Sequence, residues 1–123
     1  MTGRFDTVGQ KFLRGYQLTD TNGIARFLTI YPSWYQGRTV HIHFKIRTER
    51  VLGRAYEFTG QLYFEDKVTD GVMRQTPYAS RAERSMRNQQ DGIYRRGGDR
   101  LVDVVMPAAN GYTGAFDIGV QLS

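Results

Sequence analysis

The chain has 123 residues, of which 40% are hydrophobic and 24% charged, and it contains 14 glycines, a balance typical of a turn-rich globular protein. We expect one domain over residues 1–123, because this length supports a single hydrophobic core. The absence of cysteine excludes disulfides and thiolate metal sites. No apolar run is long enough to cross a bilayer, and no signal peptide is evident, so we expect a soluble protein without a membrane partner. The compartment stays open: cytoplasmic as written, exported if a leader was lost.

The net charge of +5 comes partly from an arginine-rich stretch at 81–100. Its arginines are Arg81, Arg84, Arg87, Arg95, Arg96 and Arg100. We interpret the stretch as a solvated loop, with a general polyanion-binding module as the alternative. No nucleic-acid partner is expected, because aromatic residues are not interleaved as a stacking surface for bases requires.

The first thirty residues predict an irregular arm followed by a hairpin. Residues 1–10 have no sustained period and form the arm. A first strand is predicted over residues 11–18 and a second over residues 24–30, which are rich in β-branched and aromatic side chains. Residues 20–23, Asp-Thr-Asn-Gly, predict the turn between them, because Asn and Gly accept left-handed backbone conformations.

Residues 40–47 alternate with a period of two, which predicts a half-buried strand after an aromatic loop at 31–37. One face carries His41, His43, Lys45 and Arg47; the other, expected to be buried, carries Val40, Ile42, Phe44 and Ile46. Two imidazoles on one face can reach a single ion. A polar strand face in water is the alternative interpretation.

The second half of the chain predicts further short strands. Residues 56–64 resume strand character, and residues 66–75 predict a short helical turn with Asp66 as its N-cap and Pro77 beyond its end. Residues 78–99 form a long polar excursion. Strands are predicted over residues 101–106 and 112–122, joined by a turn at Asn110-Gly111. Short strands separated by turns favour an all-β fold, an antiparallel β-sandwich.

The central segment resembles the iron-site segment of the intradiol ring-cleavage dioxygenases, the family of protocatechuate and catechol dioxygenases. The matching residues are Pro32-Ser-Trp-Tyr35, then Arg38, then His41-Ile-His43-Phe44. The similarity extends from about Phe12 to the C-terminus. It includes the stretches FLRGYQLTDTNG, QLYFED and RNQQDGIYRRGG.

This resemblance implies an antiparallel β-sandwich of the intradiol dioxygenase core type. It also implies a non-haem Fe(III) cofactor and a reaction in which O2 cleaves a catechol-type ring. Tyr35, His41 and His43 would be the metal ligands, and Tyr35 would be displaced by substrate. The resemblance assigns catalytic roles to Tyr35, Arg38 and Gln61, and substrate contacts to Arg38, Gln61 and Trp34.

One family feature has no counterpart in the sequence. The family uses a second tyrosine ligand upstream of the FLRG strand, whereas the first tyrosine here is Tyr16. The alternative function is therefore a truncated or inactive member that binds a metal or an aromatic molecule. Loss of an upstream segment would expose a strand edge near residues 11–18, so we expect a homo-oligomer. Ordinary structural roles remain open too: Trp34 and Tyr35 capping a sandwich edge, Arg38 pairing with Glu65 or Asp66.

Overall fold

The structure, a computed structural model, describes residues 15–49 and 53–121. It divides into two compact units, Met1–Tyr31 and Pro32–Ser123. The predicted arm at 1–10, the first part of the strand at 11–18 and the last residue of the strand at 112–122 lie outside the described residues. The single-domain organisation stays a prediction.

The first unit contains the predicted turn. The backbone N–H of Gly23 donates to the carbonyl of Asp20 (2.9 Å), and Gly23 adopts a left-handed φ of 77°. The Asp20 carboxylate accepts the N–H groups of Asn22 and Ile24 at 2.9 and 3.0 Å. The strand predicted over residues 24–30 was wrong, and so was the described part of the strand predicted over residues 11–18, because residues 15–18 and 24–30 belong to no strand. Their large apolar side chains are exposed, among them Leu28 at 104% and Leu18 at 84%.

The second unit is built on a three-stranded sheet in the order β1-β2-β3. Strand β1 covers His41–Arg47 and pairs antiparallel with β2, Glu57–Phe64. Strand β3, Val102–Asp103, pairs with β2 in parallel, which is a local departure from the expected antiparallel arrangement. The long excursion between β2 and β3 allows this direction, since parallel neighbours need a crossover connection.

The register of β1 and β2 determines which residues share a face. His41 lies opposite Tyr63, and His43 lies opposite Gln61. Successive side chains point to opposite sides of a strand, so these four side chains lie on one face. The other face carries Ile42, Phe44 and Ile46, which are half-buried rather than buried as predicted, whereas His41 is buried.

The helix α1, Asp66–Met73, anchors the excursion that follows it. Its N-cap is Glu65, so the prediction of Asp66 was wrong; Asp66 is the first helical residue and pairs with Arg84 at 2.9 Å. Arg84 also contacts Asp70 at 2.9 Å, and its side chain is only 6% exposed. The solvated-loop interpretation was therefore wrong for Arg84. Arg87 reaches Asp70 as well, at 3.0 Å, and its hydrogen bonds, opposed by burial, lower the pKa of Asp70 to about 2.

The excursion and the C-terminal part consist of short elements. Four 3-10 helices cover Tyr78–Ser80, Asn88–Gln90, Tyr94–Arg96 and Gly98–Leu101. A hairpin of β4, Met106–Ala108, and β5, Gly111–Thr113, follows near the predicted turn. The strand predicted over residues 101–106 is instead divided between β3 and the first residue of β4, and the strand predicted over residues 112–122 ends at Thr113. Within residues 15–49 and 53–121 the fold is β-rich with one α-helix, and none of their helices could span a membrane.

Candidate functional site

A tight turn before β1 brings Tyr35 and Arg38 side by side. The two residues form an isolated antiparallel bridge, in which the N–H of Arg38 donates to the carbonyl of Tyr35 at 3.3 Å. Between them Gly37 has a φ of 88°, a left-handed conformation that other residues adopt only with strain. The glycine thus permits a reversal short enough to direct both side chains to the start of β1.

Three potential ligand atoms converge beside this turn. The Tyr35 hydroxyl lies 3.2 Å from Nε2 of His41, and Nε2 of His41 lies 3.1 Å from Nε2 of His43. Two ligand atoms each about 2.1 Å from one ion lie about 3.0–3.4 Å apart at octahedral or tetrahedral angles. Both separations from Nε2 of His41 therefore suit atoms that share a metal ion.

The orientation of His41 leaves the correct nitrogen free for such a role. Its Nδ1 lies 2.7 Å from the carbonyl of Thr39, so Nδ1 carries the proton and donates it to that oxygen. The lone pair of Nε2 then faces the cluster, as in histidines that bind metals. Burial and the nearby charge of Arg38 lower the pKa of both His41 and His43. Both imidazoles are consequently neutral at neutral pH.

The guanidinium of Arg38 connects the cluster to β2 and to the excursion. One terminal nitrogen donates to the Gln61 side-chain oxygen at 2.5 Å, and the other lies 3.4 Å from Nε2 of His41. Its Nε donates to the carboxylate of Asp91 at 2.7 Å. Burial of the guanidinium lowers the pKa of Arg38, but its hydrogen bond to Asp91 and the Asp91 charge outweigh this and leave the pKa raised. The alternative pairing of Arg38 with Glu65 or Asp66 was therefore wrong.

Trp34 takes part in a different contact. The Arg81 guanidinium lies over its indole ring at 4.2 Å from the ring centroid, an arrangement favourable for a cation–π interaction. Arg81 also donates to the hydroxyl of Ser33 at 3.0 Å and to the carbonyl of Trp34. One face of the indole is therefore occupied by an arginine of the excursion. The predicted substrate contact of Trp34 stays a prediction.

Four further residues support the cluster, and sequence reasoning assigned none of them a role: Thr39, Tyr63, Asn88 and Asp91. The Tyr63 hydroxyl donates to Gln61 at 3.0 Å. The Thr39 hydroxyl donates to Asn88 at 2.6 Å, and the Asn88 amide donates to the carbonyl of Phe64 at 2.7 Å. Asn88 and Asp91 lie in the stretch RNQQDGIYRRGG, so the family resemblance was the one signal in the sequence that marked them.

A cleft of about 290 Å³ opens beside the cluster. It is lined on one side by Gln61 and Tyr63 of β2, and on the other by Ile93, Arg96 and Gly98 of the excursion. Its volume is close to the lower end of the range for small-molecule sites, roughly 300–1,000 Å³.

Within the described ranges, no three or more His, Cys, Asp and Glu side chains are grouped to hold a metal ion. The potential ligand set consists instead of two imidazoles and one phenol, from His41, His43 and Tyr35. Neutral imidazoles suit zinc, copper and iron, and a phenolate oxygen adds the negative charge that a trivalent ion favours.

Comparison with known proteins gives a consistent family. No protein-family model and no curated protein matches the chain. Among solved structures, a dioxygenase is 33% identical, with a TM-score of 0.68 over 78% of this chain and 46% of its own. An intradiol ring-cleavage dioxygenase from Tetranychus urticae is 27% identical, with a TM-score of 0.57 over 69% of this chain and 41% of its own.

The present chain thus spans less than half the length of either solved relative. The similarity nevertheless covers both sequence and backbone over most of the chain. The turn and strand that bring Tyr35, Arg38, His41 and His43 together carry the motif of the same family. Over most of its length the chain is therefore similar, in sequence and backbone, to part of the intradiol ring-cleavage dioxygenases.

Proposed function

We propose that the cluster around His41 supports Fe(III)-dependent cleavage of a catechol-type ring by O2. The observation that carries the proposal is the grouping of three side-chain atoms. Nε2 of His41 lies 3.2 Å from the Tyr35 hydroxyl and 3.1 Å from Nε2 of His43. These three atoms would hold the iron. Ferric iron, when bound, draws electron density from a catecholate, so that O2 reacts at the ring and the bond between the hydroxyl-bearing carbons breaks.

Tyr35 is proposed as the ligand that yields its position to substrate. Its side chain is 48% exposed, so the phenol can turn toward solvent without opening the buried part of the unit. In its phenolate form, the Tyr35 oxygen accepts a proton from a catechol hydroxyl as the substrate arrives. His41, which is buried and bonded to Thr39, stays in place during this exchange.

Arg38 and Gln61 are proposed to orient the substrate. Arg38 presents a positive charge 3.4 Å from Nε2 of His41, where it stabilises the anionic form of a bound catechol. Gln61 is held by Arg38 and Tyr63, so its side chain has a fixed direction next to the cleft. The ring itself would lie in the cleft beside Gln61, and Trp34 would complete the substrate contacts from the loop.

The experiment is reconstitution with ferric iron, followed by catechol and labelled O2. A ring-opened dicarboxylic acid that contains both labelled oxygen atoms is the expected product. Wild type and Tyr35→Phe are compared by metal analysis and visible spectra, with Tyr56→Phe as a matched control, because Tyr56 precedes β2 and lies outside the cluster. A ferric-tyrosinate band that persists in Tyr35→Phe would contradict the assignment of Tyr35 as a ligand.

A second candidate function is a metal- or aromatic-binding module without turnover. The observation that favours it is the small ligand set: the cluster of described side chains offers three ligand atoms, one of which substrate displaces. We therefore expect weak or substoichiometric iron and slow cleavage, and zinc can occupy the same imidazoles. Catechol that alters the visible spectrum of the iron-loaded protein without a ring-opened product would identify this alternative.

We also propose that β1 to β5 are parts of an antiparallel β-sandwich of the intradiol dioxygenase core type. The TM-score of 0.68 with a dioxygenase structure supports this arrangement. The parallel pair of β2 and β3 is then a local departure from the antiparallel arrangement.

We also propose that the chain self-associates. Large apolar side chains within residues 15–30 are exposed, and association with a second copy would bury them.

A further inference from the structure

Asp91 is a completely buried carboxylate, with 0% exposure, in the middle of the arginine-rich excursion. Its two oxygens have different partners. Oδ1 accepts the backbone N–H groups of Ile93 and Tyr94 at 2.9 and 3.0 Å, which stabilises the start of a 3-10 helix. Oδ2 accepts Nε of Arg38 at 2.7 Å and the N–H of Thr39 at 2.8 Å. One oxygen therefore supports the local turn, and the other reaches the candidate site.

The contact at Oδ2 determines the direction of the Arg38 guanidinium. The five N–H groups of arginine lie in one rigid plane, so anchoring Nε fixes where the two terminal nitrogens point. With Nε on Asp91, those nitrogens point to Gln61 and His41, at 2.5 and 3.4 Å. Without this anchor the guanidinium has several orientations about its flexible stem.

The same oxygen also acts on the backbone before β1. The N–H of Thr39 is bound to Asp91, and the carbonyl of Thr39 accepts Nδ1–H of His41 at 2.7 Å. Asn88 holds the Thr39 side chain at 2.6 Å. Asp91 thus fixes both the Arg38 side chain and the Thr39 backbone, the two groups next to His41.

We propose that Asp91 is a positioning residue, which holds the Arg38 guanidinium in the orientation that the ring-cleavage reaction requires. This role rests on the proposed function, since Arg38 is the group that contacts the anionic substrate. Asp91 itself touches no reacting atom. Its effect on the reaction passes through Arg38 and through the carbonyl of Thr39.

The substitution Asp91→Asn separates the two roles of the carboxylate, which are to bind the N–H groups of Ile93 and Tyr94 and to bind Arg38. The Asn oxygen can keep the N–H groups of Ile93 and Tyr94, while its NH2 group opposes the donor Nε of Arg38. The matched control is Asp70→Asn, because Asp70 also holds two arginines of the excursion, Arg84 and Arg87, but has no hydrogen bond to the cluster among the described contacts.

The first readout uses metal-free protein, so it is independent of turnover. Nitrogen-15 NMR follows proton exchange at Nε–H of Arg38, with Arg47 as internal reference, because Arg47 pairs with Glu57 through a side chain that is 70% exposed. In wild type the Arg38 proton should exchange at least about tenfold more slowly than that of Arg47. Asp91→Asn should remove this protection, and Asp70→Asn should retain it.

The second readout is ring cleavage of catechol by the iron-loaded variants. Supporting residues around metal sites typically contribute about 10- to 100-fold, so Asp91→Asn should lower kcat by that factor, and Asp70→Asn should not. Equal exchange at Arg38 and Arg47 in wild type, which needs no variant to fold, would overturn the proposal. So would an Asp91→Asn protein that retains full kcat. Protected Arg38 in a wild type that cleaves no catechol would instead refute the proposed function and leave the orientation of Arg38 by Asp91 intact.

Discussion

Replacing Gly98 by alanine would force a methyl group into the ring of Tyr63. An added Cβ would lie 2.6 Å from Cε2 and 3.0 Å from Cζ of that ring, against a normal carbon–carbon contact of about 3.5–4.0 Å. The ring must therefore move by about 1 Å. It has little room, because Tyr63 is 1% exposed and packs edge-on against Tyr94 with centroids 5.1 Å apart.

Overpacking of this kind costs about 1–3 kcal/mol. For a chain of this size each kcal/mol corresponds to about 4 °C in Tm, so Gly98→Ala should lower Tm by about 4–12 °C. The matched control is Gly92→Ala in the same excursion, where an added Cβ meets nothing within 4 Å. That variant should be unchanged or slightly stabilised, because alanine restricts the unfolded chain.

The assay is thermal and urea denaturation of both variants beside wild type. Displacement of Tyr63 also shifts its hydroxyl, which donates to Gln61 at 3.0 Å, so Gly98→Ala should slow the proposed ring cleavage more than its stability loss explains. Equal stability of Gly98→Ala and Gly92→Ala would refute the reasoning, because it would mean that Tyr63 is not packed against Gly98.

Two other predictions concern acid stability and assembly. Burial raises the pKa of Asp91, but hydrogen bonds from Arg38, Tyr94 and Thr39 outweigh it and lower the pKa from 3.8 to about 2. Asp91 therefore contributes about 2 kcal/mol to the free energy of unfolding, which is fully present above pH 3.8 and lost as the pH falls to about 2. Urea denaturation at pH 5 and pH 2 measures this loss, and equal stability at the two pH values would contradict the prediction. Leu28, which is 104% exposed, should promote self-association, so Leu28→Ser should shift sedimentation toward smaller species, and a strictly monomeric wild type at high concentration would contradict this.

The part of the site that sequence reasoning predicted depends on local chemistry. Alternation places His41 and His43 on one face whatever the rest of the fold, because a strand has a period of two. Glycine adopts a positive φ without strain, so Gly37 allows a tight turn that keeps Tyr35 near the strand. Both features are properties of a few consecutive residues.

The residues that were missed, or given the wrong structure, depend on distant partners. Asp91 follows Arg38 by 53 positions, and no periodic pattern marks a single carboxylate that is buried against a distant arginine. Arg84 was interpreted as solvated for the same reason, since its partners Asp66 and Asp70 lie on the helix. Residues 24–30 have strand composition, but β-propensity reflects packing against neighbouring strands, and the described residues form no such ladder there.

The charges around His41 also explain how a cation can lie beside a proposed metal site. A guanidinium 3.4 Å from Nε2 disfavours protonation of His41 and His43, and burial acts in the same direction, so the pKa of each lies below 6.5 and protons compete with a metal only at lower pH. The same positive charge would repel an incoming metal ion if it stood alone. Asp91 offsets it with a buried carboxylate 2.7 Å from Nε. The guanidinium therefore helps to keep the imidazoles neutral, and its ion pair with Asp91 limits the repulsion of a metal ion.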